Sequence, residues 1–325
     1  MRLFIAFLSL SSILGLLGSQ CPKAATIAPC VCLSESTDGT NRVVCDGKDN
    51  INLKKIFADM SAELVSKDKL FHWFQLTNTA ITELTDSVFS DIKFQFITIE
   101  GASALKLIHT NAFVGQQTTI QTLSIVKTPL ADSEDPNYNV FKAINSLTGL
   151  KYLTLWSTNL TKIPDQALTK TTLLSQISLQ QNKIQTIGSQ AFANFRHLLS
   201  LDLSYNNINH VSDNAFVINK NYYETQLDLN LGYNHLDDKS LSPQAFAGLK
   251  ATVKLTLNYR AVKVLPESQF APILRADKGN EIIQTIDCQN CDNYWLERDF
   301  PFQVLNMYCT NYHRLNDTRE FIKCH

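Results

Sequence analysis

The chain has 325 residues, 44% of them hydrophobic and 18% charged, with a formal net charge of −1. This balance gives no general electrostatic pull toward nucleic acid or an acidic membrane, so no nucleic-acid partner is expected. The apolar content suffices for a folded core, and there is no low-complexity tract or run of like charge to suggest disorder.

The opening, MRLFIAFLSLSSILGLLGSQ, sets Arg2 before an apolar run from Leu3 to Leu17, followed by small residues. That order predicts a secretory signal peptide over residues 1–20, cut near Gly18–Gln20. The run is short for a bilayer crossing and contains three serines. No later segment approaches a membrane span, and the closing DTREFIKCH lacks the hydrophobic tail of a lipid-anchor signal. A secreted, extracellular protein is the expectation.

Eight cysteines fall in two groups of four: Cys21, Cys30, Cys32, Cys45 and Cys288, Cys291, Cys309, Cys324. Even counts clustered at both ends of a secreted chain read as disulfides. The first group belongs to an amino-terminal cap with its lead-in, residues 21–70. Its spacing leaves three pairings open. A zinc site is disfavoured by the Cys-x-Cys spacing, the oxidising compartment and the lack of a nearby histidine. In the lead-in, Leu53, Ile56, Phe57, Met60 and Leu64 are spaced to cover the apolar end of whatever follows.

Repeats follow, over residues 71–280. They are most regular at 174–216, where L-x-x-L/I-x-L-x-x-N-x-I occurs twice: Leu174, Ile177, Leu179, Asn182, Ile184, then Leu198, Leu201, Leu203, Asn206, Ile208. Each copy continues with an apolar residue and an Ala-Phe pair, and the copies are 24 residues apart (198 − 174). This is the period and pattern of a leucine-rich repeat. The Leu-x-Leu alternation makes a short strand with its leucines on one face. The asparagine is turned inward, where its amide must hydrogen-bond to free backbone groups. One repeat cannot bury these side chains alone, so stacked repeats share one core.

The opening apolar position recurs at Phe71, Phe94, Ile120, Leu150, Leu174 and Leu198, with Gln226 and Thr252 in the last two repeats. The closing one recurs at Phe89, Phe113, Phe141, Leu168, Phe192, Phe216, Phe246 and Phe270, giving about eight repeats. The inward polar column reads Thr79, Ala102, Thr128, Thr158, Asn182, Asn206, Asn234 and Arg260. Threonine lacks the two-donor amide, so the amino-terminal half is expected to hold its turns less firmly. Leu105 indicates a one-residue slip in the second repeat. The longest interval carries a polar loop near Asp132–Asn139, read as decoration or as a binding loop. A second enlargement surrounds NKNYYETQ, residues 219–226.

Residues 281–325 form the second cysteine cap, with Trp295 and Leu296 plugging the last coil. Cys288-x-x-Cys291 has the spacing of a redox pair but not its βαβ context. The sequons at Asn159 and Asn316 are expected glycosylation sites, Asn159 at the edge of a strand. The predicted fold is therefore an α/β solenoid: a leucine-rich-repeat horseshoe with a parallel concave sheet and disulfide caps at both ends.

On that sheet the residues between the leucines face outward. The first half of the face carries Trp73, Phe96, Val126, Tyr152 and Trp156, and the second half Asp202, Asp228 and polar companions. Strands lie about 4.8 Å apart, so Trp73 is expected to reach Phe96 and Val126 to reach Trp156. These five are the candidate partner-binding residues. The alternative is that polar loops or a glycan at Asn159 cover them. No metalloprotease, nucleophile-elbow, phosphate-loop or dinucleotide motif is present, and the seven histidines do not cluster. The sequence accordingly predicts no catalytic, cofactor or metal site and no enzyme.

The two cysteine clusters around the repeats resemble the caps of extracellular leucine-rich-repeat proteins such as small proteoglycans and Toll-like receptor ectodomains. That resemblance implies Cys21–Cys32, Cys30–Cys45, Cys288–Cys309 and Cys291–Cys324. The stretches TKIPDQAL, IGSQAFANF, LDLNLGYNHLDDKSLSPQAFAGLK and VLPESQFAPIL are similar to those of secreted arthropod proteins that look like the non-catalytic leucine-rich-repeat subunit of Oplophorus-luciferin 2-monooxygenase. Two functions are consistent with these readings. One is a non-enzymatic binder of a protein partner. The other is an accessory subunit that stabilises a secreted catalytic partner, such as a luciferase-like monooxygenase, in a hetero-oligomer.

Overall fold

The computed structural model describes residues 20–34, 40–218, 226–237, 239–257, 262–304, 306–310, 315 and 324. All of the signal segment except Gln20, most of the 219–226 enlargement, Asn258, Arg260 and the Asn316 sequon lie outside the described residues.

The alternating stretches become one sheet of eleven strands. It begins with an antiparallel pair in the cap, Val31–Ser34 against Asn41–Cys45. Every later neighbour is parallel: Leu70–Leu76, Lys93–Glu100, Thr122–Val126, Tyr152–Trp156, Gln176–Ser178, Ser200–Asp202, Leu227–Asn230, Val253–Thr256 and Glu281–Ile283. On the flank of the coils, two-residue strands stack as Lys162–Ile163, Thr186–Ile187 and His210–Val211. The chain is a leucine-rich-repeat solenoid with disulfides near both ends.

The turn after each central strand is built the same way. Its first residue adopts a left-handed backbone: Gly101, Lys127, Ser157, Gln181, Tyr205 and Tyr233, with φ between 49° and 63°. That conformation costs a non-glycine residue roughly 1–2 kcal/mol. The N–H of that residue donates to the next coil in each case from Gly101 to Tyr205, for example Gly101 to Val126 O at 3.0 Å and Tyr205 to Gly232 O at 3.1 Å. The following asparagine is driven inward. Asn206 Oδ1 accepts from Ile184 N at 3.1 Å, and its amide donates to Leu179 O, Leu203 O and Ser204 O. Asn234 repeats the arrangement one coil on, and Asn182 one coil back, where it accepts from both the N–H and the hydroxyl of Thr158.

Three departures from the expected columns have local causes. In the first repeat the inward residue is Asn78, fully buried, while Thr79 lies nearer the surface. No left-handed residue precedes the turn there, so the chain turns one residue sooner. Asn78 donates to Asp46 O and Asp49 O in the cap and accepts from Ala80 N and Ile81 N. In the second repeat Ala102 and Leu105 are both fully buried, so the inward positions there stand one residue further apart. In the last two repeats Gln226 is exposed and Thr252 is partly so. Leu227 and Val253 are buried instead and pair in register, so the first buried position moves one residue along while Leu229 and Leu255 keep the register of the earlier strands.

The other side of the core is a spine of closing phenylalanines. Phe192, Phe216 and Phe246 stack in sequence at 5.8 and 5.4 Å. Toward the amino terminus the spine thickens into a cluster of Phe57, Phe74, Phe89 and Phe94, with centroids 5.2–5.7 Å apart. Phe57 comes from the cap helix Leu53–Glu63, which buries Leu53, Ile56, Phe57 and Met60 and is capped by Asn52, whose side chain accepts from Lys55 N. Cys21 is bonded to Cys32 and Cys30 to Cys45. At the far end Cys288 is bonded to Cys309 and Cys291 to Cys324. Trp295 is buried there and donates its indole N–H to Leu265 O at 3.0 Å.

Candidate functional site

Parallel pairing without slips puts equivalent residues in straight rows across the concave face. One row runs Leu33, Arg42, Trp73, Phe96, Thr122, Tyr152, Gln176, Ser200, Asp228, Lys254, Glu281. Val126 and Trp156 stand opposite one another in a parallel row. The five candidate residues thus share one face of four neighbouring strands.

Their contacts differ in detail from those expected. Trp73 is held by its indole N–H, which donates to Thr98 Oγ1 at 3.1 Å. The ring packed on Phe96 is that of His72, at 4.6 Å, and His72 Nδ1 lies 3.0 Å from Gln95 Oε1. Lys127 sits over the Trp156 ring at 5.4 Å, a cation–π geometry. Tyr152 is 39% exposed. The Trp73, Phe96 and Trp156 rings are therefore held by neighbours and remain partly open to solvent, as a preorganised contact surface requires.

The apolar surface reaches further than the sequence reading had it. Val31 and Leu33, on the edge strand, are 47% and 40% exposed, and Val44 continues their row to Gln75. Reading the cap for its cysteines hid this. The signal was there as alternation, Val31-Cys32-Leu33 and Arg42-Val43-Val44-Cys45, in which the cysteine or valine turned inward leaves its neighbours outward. Arg42 joins the same surface, and its Nε is buried without a hydrogen-bond partner.

Charge divides the face. Its aromatic half has Arg42 and, just past a strand end, Lys127 against Glu100, and its other half Asp202, Asp228 and Glu281 against Lys254. Where the halves meet, a shallow cleft of about 150 Å³ is lined by Tyr152, Thr154, Gln176, Ser178, Gln180 and Asp202. Asp202 is engaged there by Ser204 N at 2.9 Å and by the Gln180 amide.

The Asp132–Asn139 loop is tied down on the flank. Tyr138 donates its hydroxyl to Glu83 at 2.6 Å, which holds that phenol above its ordinary range, and packs edge-on against His109. Thr110 N donates to Asn137 O at 2.7 Å, and Thr161 donates its hydroxyl to Asp132. These anchors lie past the asparagine turns rather than on the concave strands. Asn159 is exposed with φ 62°, three residues beyond Trp156. Among the described residues no group of three or more histidine, cysteine or acidic side chains is placed to hold a metal ion. No described helix is long and apolar enough to cross a membrane.

Comparison with known proteins agrees with the repeat reading. The leucine rich repeat family model matches residues 148–208 and 172–220, the regular centre of the solenoid. No curated protein matches the chain. A chain from the octameric complex of Latrophilin 3 (Lec, Olf), Unc5D (Ig, Ig2, TSP1) and FLRT2 (LRR) aligns over 79% of this chain and 83% of its own length, at 13% identity and a TM-score of 0.44.

Proposed function

We propose that this is a secreted, non-enzymatic leucine-rich-repeat protein that recognises a protein partner through the amino-terminal half of its concave face. The observation that carries the reading is the in-register group Trp73, Phe96, Val126, Tyr152 and Trp156, partly exposed on a rigid parallel sheet and continued by Leu33 and Val31. Aromatic side chains fixed before binding lose little entropy on contact and dominate the energetics of protein interfaces. Four disulfides support passage through an oxidising compartment. In this reading residues 1–20 are a cleaved signal, 21–70 and 281–325 are caps around repeats 71–280, and Asn159 and Asn316 carry glycans.

The test begins with the native assembly. The protein is isolated from its source under mild conditions, and the mass and content of the complex are measured by light scattering and peptide mass spectrometry. A co-purifying protein whose binding falls about thirtyfold or more in Trp73→Ala and Trp156→Ala, with circular dichroism unchanged, supports the proposal. Unchanged binding in both folded variants refutes the assigned face. A second reading, an accessory subunit, rests on the resemblance of stretches such as IGSQAFANF and VLPESQFAPIL alone. A catalytic chain present in fixed ratio, losing stability when separated, is the outcome specific to it.

A further inference from the structure

Tyr205 and Tyr233 occupy equivalent places in successive repeats, each just before its inward asparagine. Both have left-handed backbones, φ 56° and 55°, which throw the side chain out of the coil while Asn206 and Asn234 are pinned inside. The rings stack with centroids 4.3 Å apart and planes 7° from parallel. They are nonetheless 50% and 56% exposed. The two rings point the same way, because the hydroxyls lie within hydrogen-bonding reach of each other. Desolvation, the charge and hydrogen bond of Tyr233, and the charge of Asp202 together hold the Tyr205 phenol above its ordinary range. Two phenols stacked this closely hold their ring carbons within coupling reach, while about half of each residue stays accessible to solvent.

We propose that Tyr205 and Tyr233 form an oxidative cross-linking site, joined within one chain as dityrosine by a peroxidase-type oxidant using hydrogen peroxide. Each phenol gives up one electron and its hydroxyl proton and becomes a phenoxyl radical with spin density on its ortho carbons. The two radicals pair to form a carbon–carbon bond between those ring carbons. Each bonded carbon then releases its proton and each oxygen takes one up, which restores two aromatic phenols. Hydrogen peroxide receives both electrons and both protons and leaves as two waters, so the chain loses two hydrogens in all. The second radical is already in contact with the first, so coupling does not wait on diffusion. Tyr138, by contrast, packs on His109 and Glu83 rather than on a second phenol, and Tyr152 stands in its row between Thr122 and Gln176. The bond closes a loop of 28 residues (233 − 205) around the 219–226 enlargement, and so ties one coil to the next as a disulfide does.

The experiment treats the dilute full-length protein with a plant peroxidase and hydrogen peroxide, then reads dityrosine fluorescence, the denaturing gel and the reduced tryptic digest. The expected product is a monomer in which peptide 197–220 is joined to peptide 221–239 with the loss of two hydrogens, fragmentation placing the bond between Tyr205 and Tyr233. Because peptide 221–239 also contains Tyr222 and Tyr223, the digest is repeated in a Tyr222→Phe, Tyr223→Phe background, where the linked peptide persists. Tyr205→Phe and Tyr233→Phe keep the stacked ring, and with it the fold, and each abolishes the linked peptide. The proposal is overturned if dityrosine forms only between chains or at other tyrosines, if none forms, or if the linked peptide survives Tyr205→Phe.

Discussion

Replacing Asn206 by alanine should be among the most damaging single changes at any polar site in the solenoid. The structure shows how much is lost. Four hydrogen bonds disappear, but three of their carbonyl partners keep another donor: Leu179 O is also reached by Asn182, Leu203 O by Asn234, and Ser204 O by Gln181 N. The group left stranded is the buried Ile184 N–H, which donates to Asn206 Oδ1. An orphaned buried donor costs roughly 1–3 kcal/mol and the weakened carbonyls about 1 kcal/mol more, for a total near 2–4 kcal/mol. Thr158→Val is the control. It removes a single hydroxyl bond to Asn182 Oδ1 while Thr158 N keeps the same acceptor, and should cost about 1 kcal/mol. Urea unfolding with disulfides intact, followed by far-ultraviolet circular dichroism, measures both, and hydrogen exchange at Ile184 reads the stranded amide directly. If Asn206→Ala costs no more than Thr158→Val, or leaves Ile184 exchange unchanged, the ladder does not carry the load argued for it.

Three further outcomes are expected. Gly149→Ala should lower the melting temperature, by about 1–3 kcal/mol of stability, because a Cβ there would lie 2.6 Å from Thr118 O and 2.9 Å from its carbonyl carbon, main-chain atoms that can give way only by shifting the backbone. Reducing the disulfides, which close separations of 11, 15, 21 and 33 residues, should lower the melting temperature, each bond contributing roughly 2–4 kcal/mol; an unchanged temperature would count against their structural role. In the carboxyl-terminal cap, the hydrogen bond and charge of Arg298 hold Asp299 below the usual carboxylate range, so its contribution is present above its unfolded pKa and is lost as pH falls through the folded one. Asp299→Asn should therefore be the less stable protein at neutral pH and match the parent in acid, as followed by melting curves across that range.

The repeats were legible because their signal is periodic and redundant. A leucine at each inward position and a phenylalanine at each closing position state the same coil twice. What escaped was set by backbone conformation rather than residue type. Nothing in TNTAI tells which of Asn78 and Thr79 turns inward; the absence of a left-handed residue ahead of the turn decides it. Gln226 and Thr252 depart from the grid for a related reason: the period-two alternation runs on to Leu227 and Val253, so the buried residue stands one place after the expected opening position. On the face, the positions of the five outward residues follow from period two, but their contacts do not. His72, at an intermediate position in its strand, takes the place on Phe96 that Trp73 was expected to fill, because the Trp73 indole is drawn to Thr98.

The two ends of the solenoid solve the same packing problem differently. From Thr158 to Asn234 the turns are locked by the asparagine ladder. Ahead of it the column holds Ala102 and Thr128, whose hydroxyl reaches only Val126 O of its own turn. Weaker turns were expected there, yet main-chain bonds cross those coils as well, Gly101 to Val126 O and Lys127 to Trp156 O. The interior beneath them is the phenylalanine cluster led by Phe57, Phe74, Phe89 and Phe94, closed by the cap helix. Each fully buried phenylalanine contributes roughly 1.5–3 kcal/mol, comparable to what a ladder asparagine protects. The aromatic interior thus packs beneath the two coils whose outer surface carries Trp73 and Phe96, whereas Trp156 stands on a coil whose turn already belongs to the ladder through Thr158.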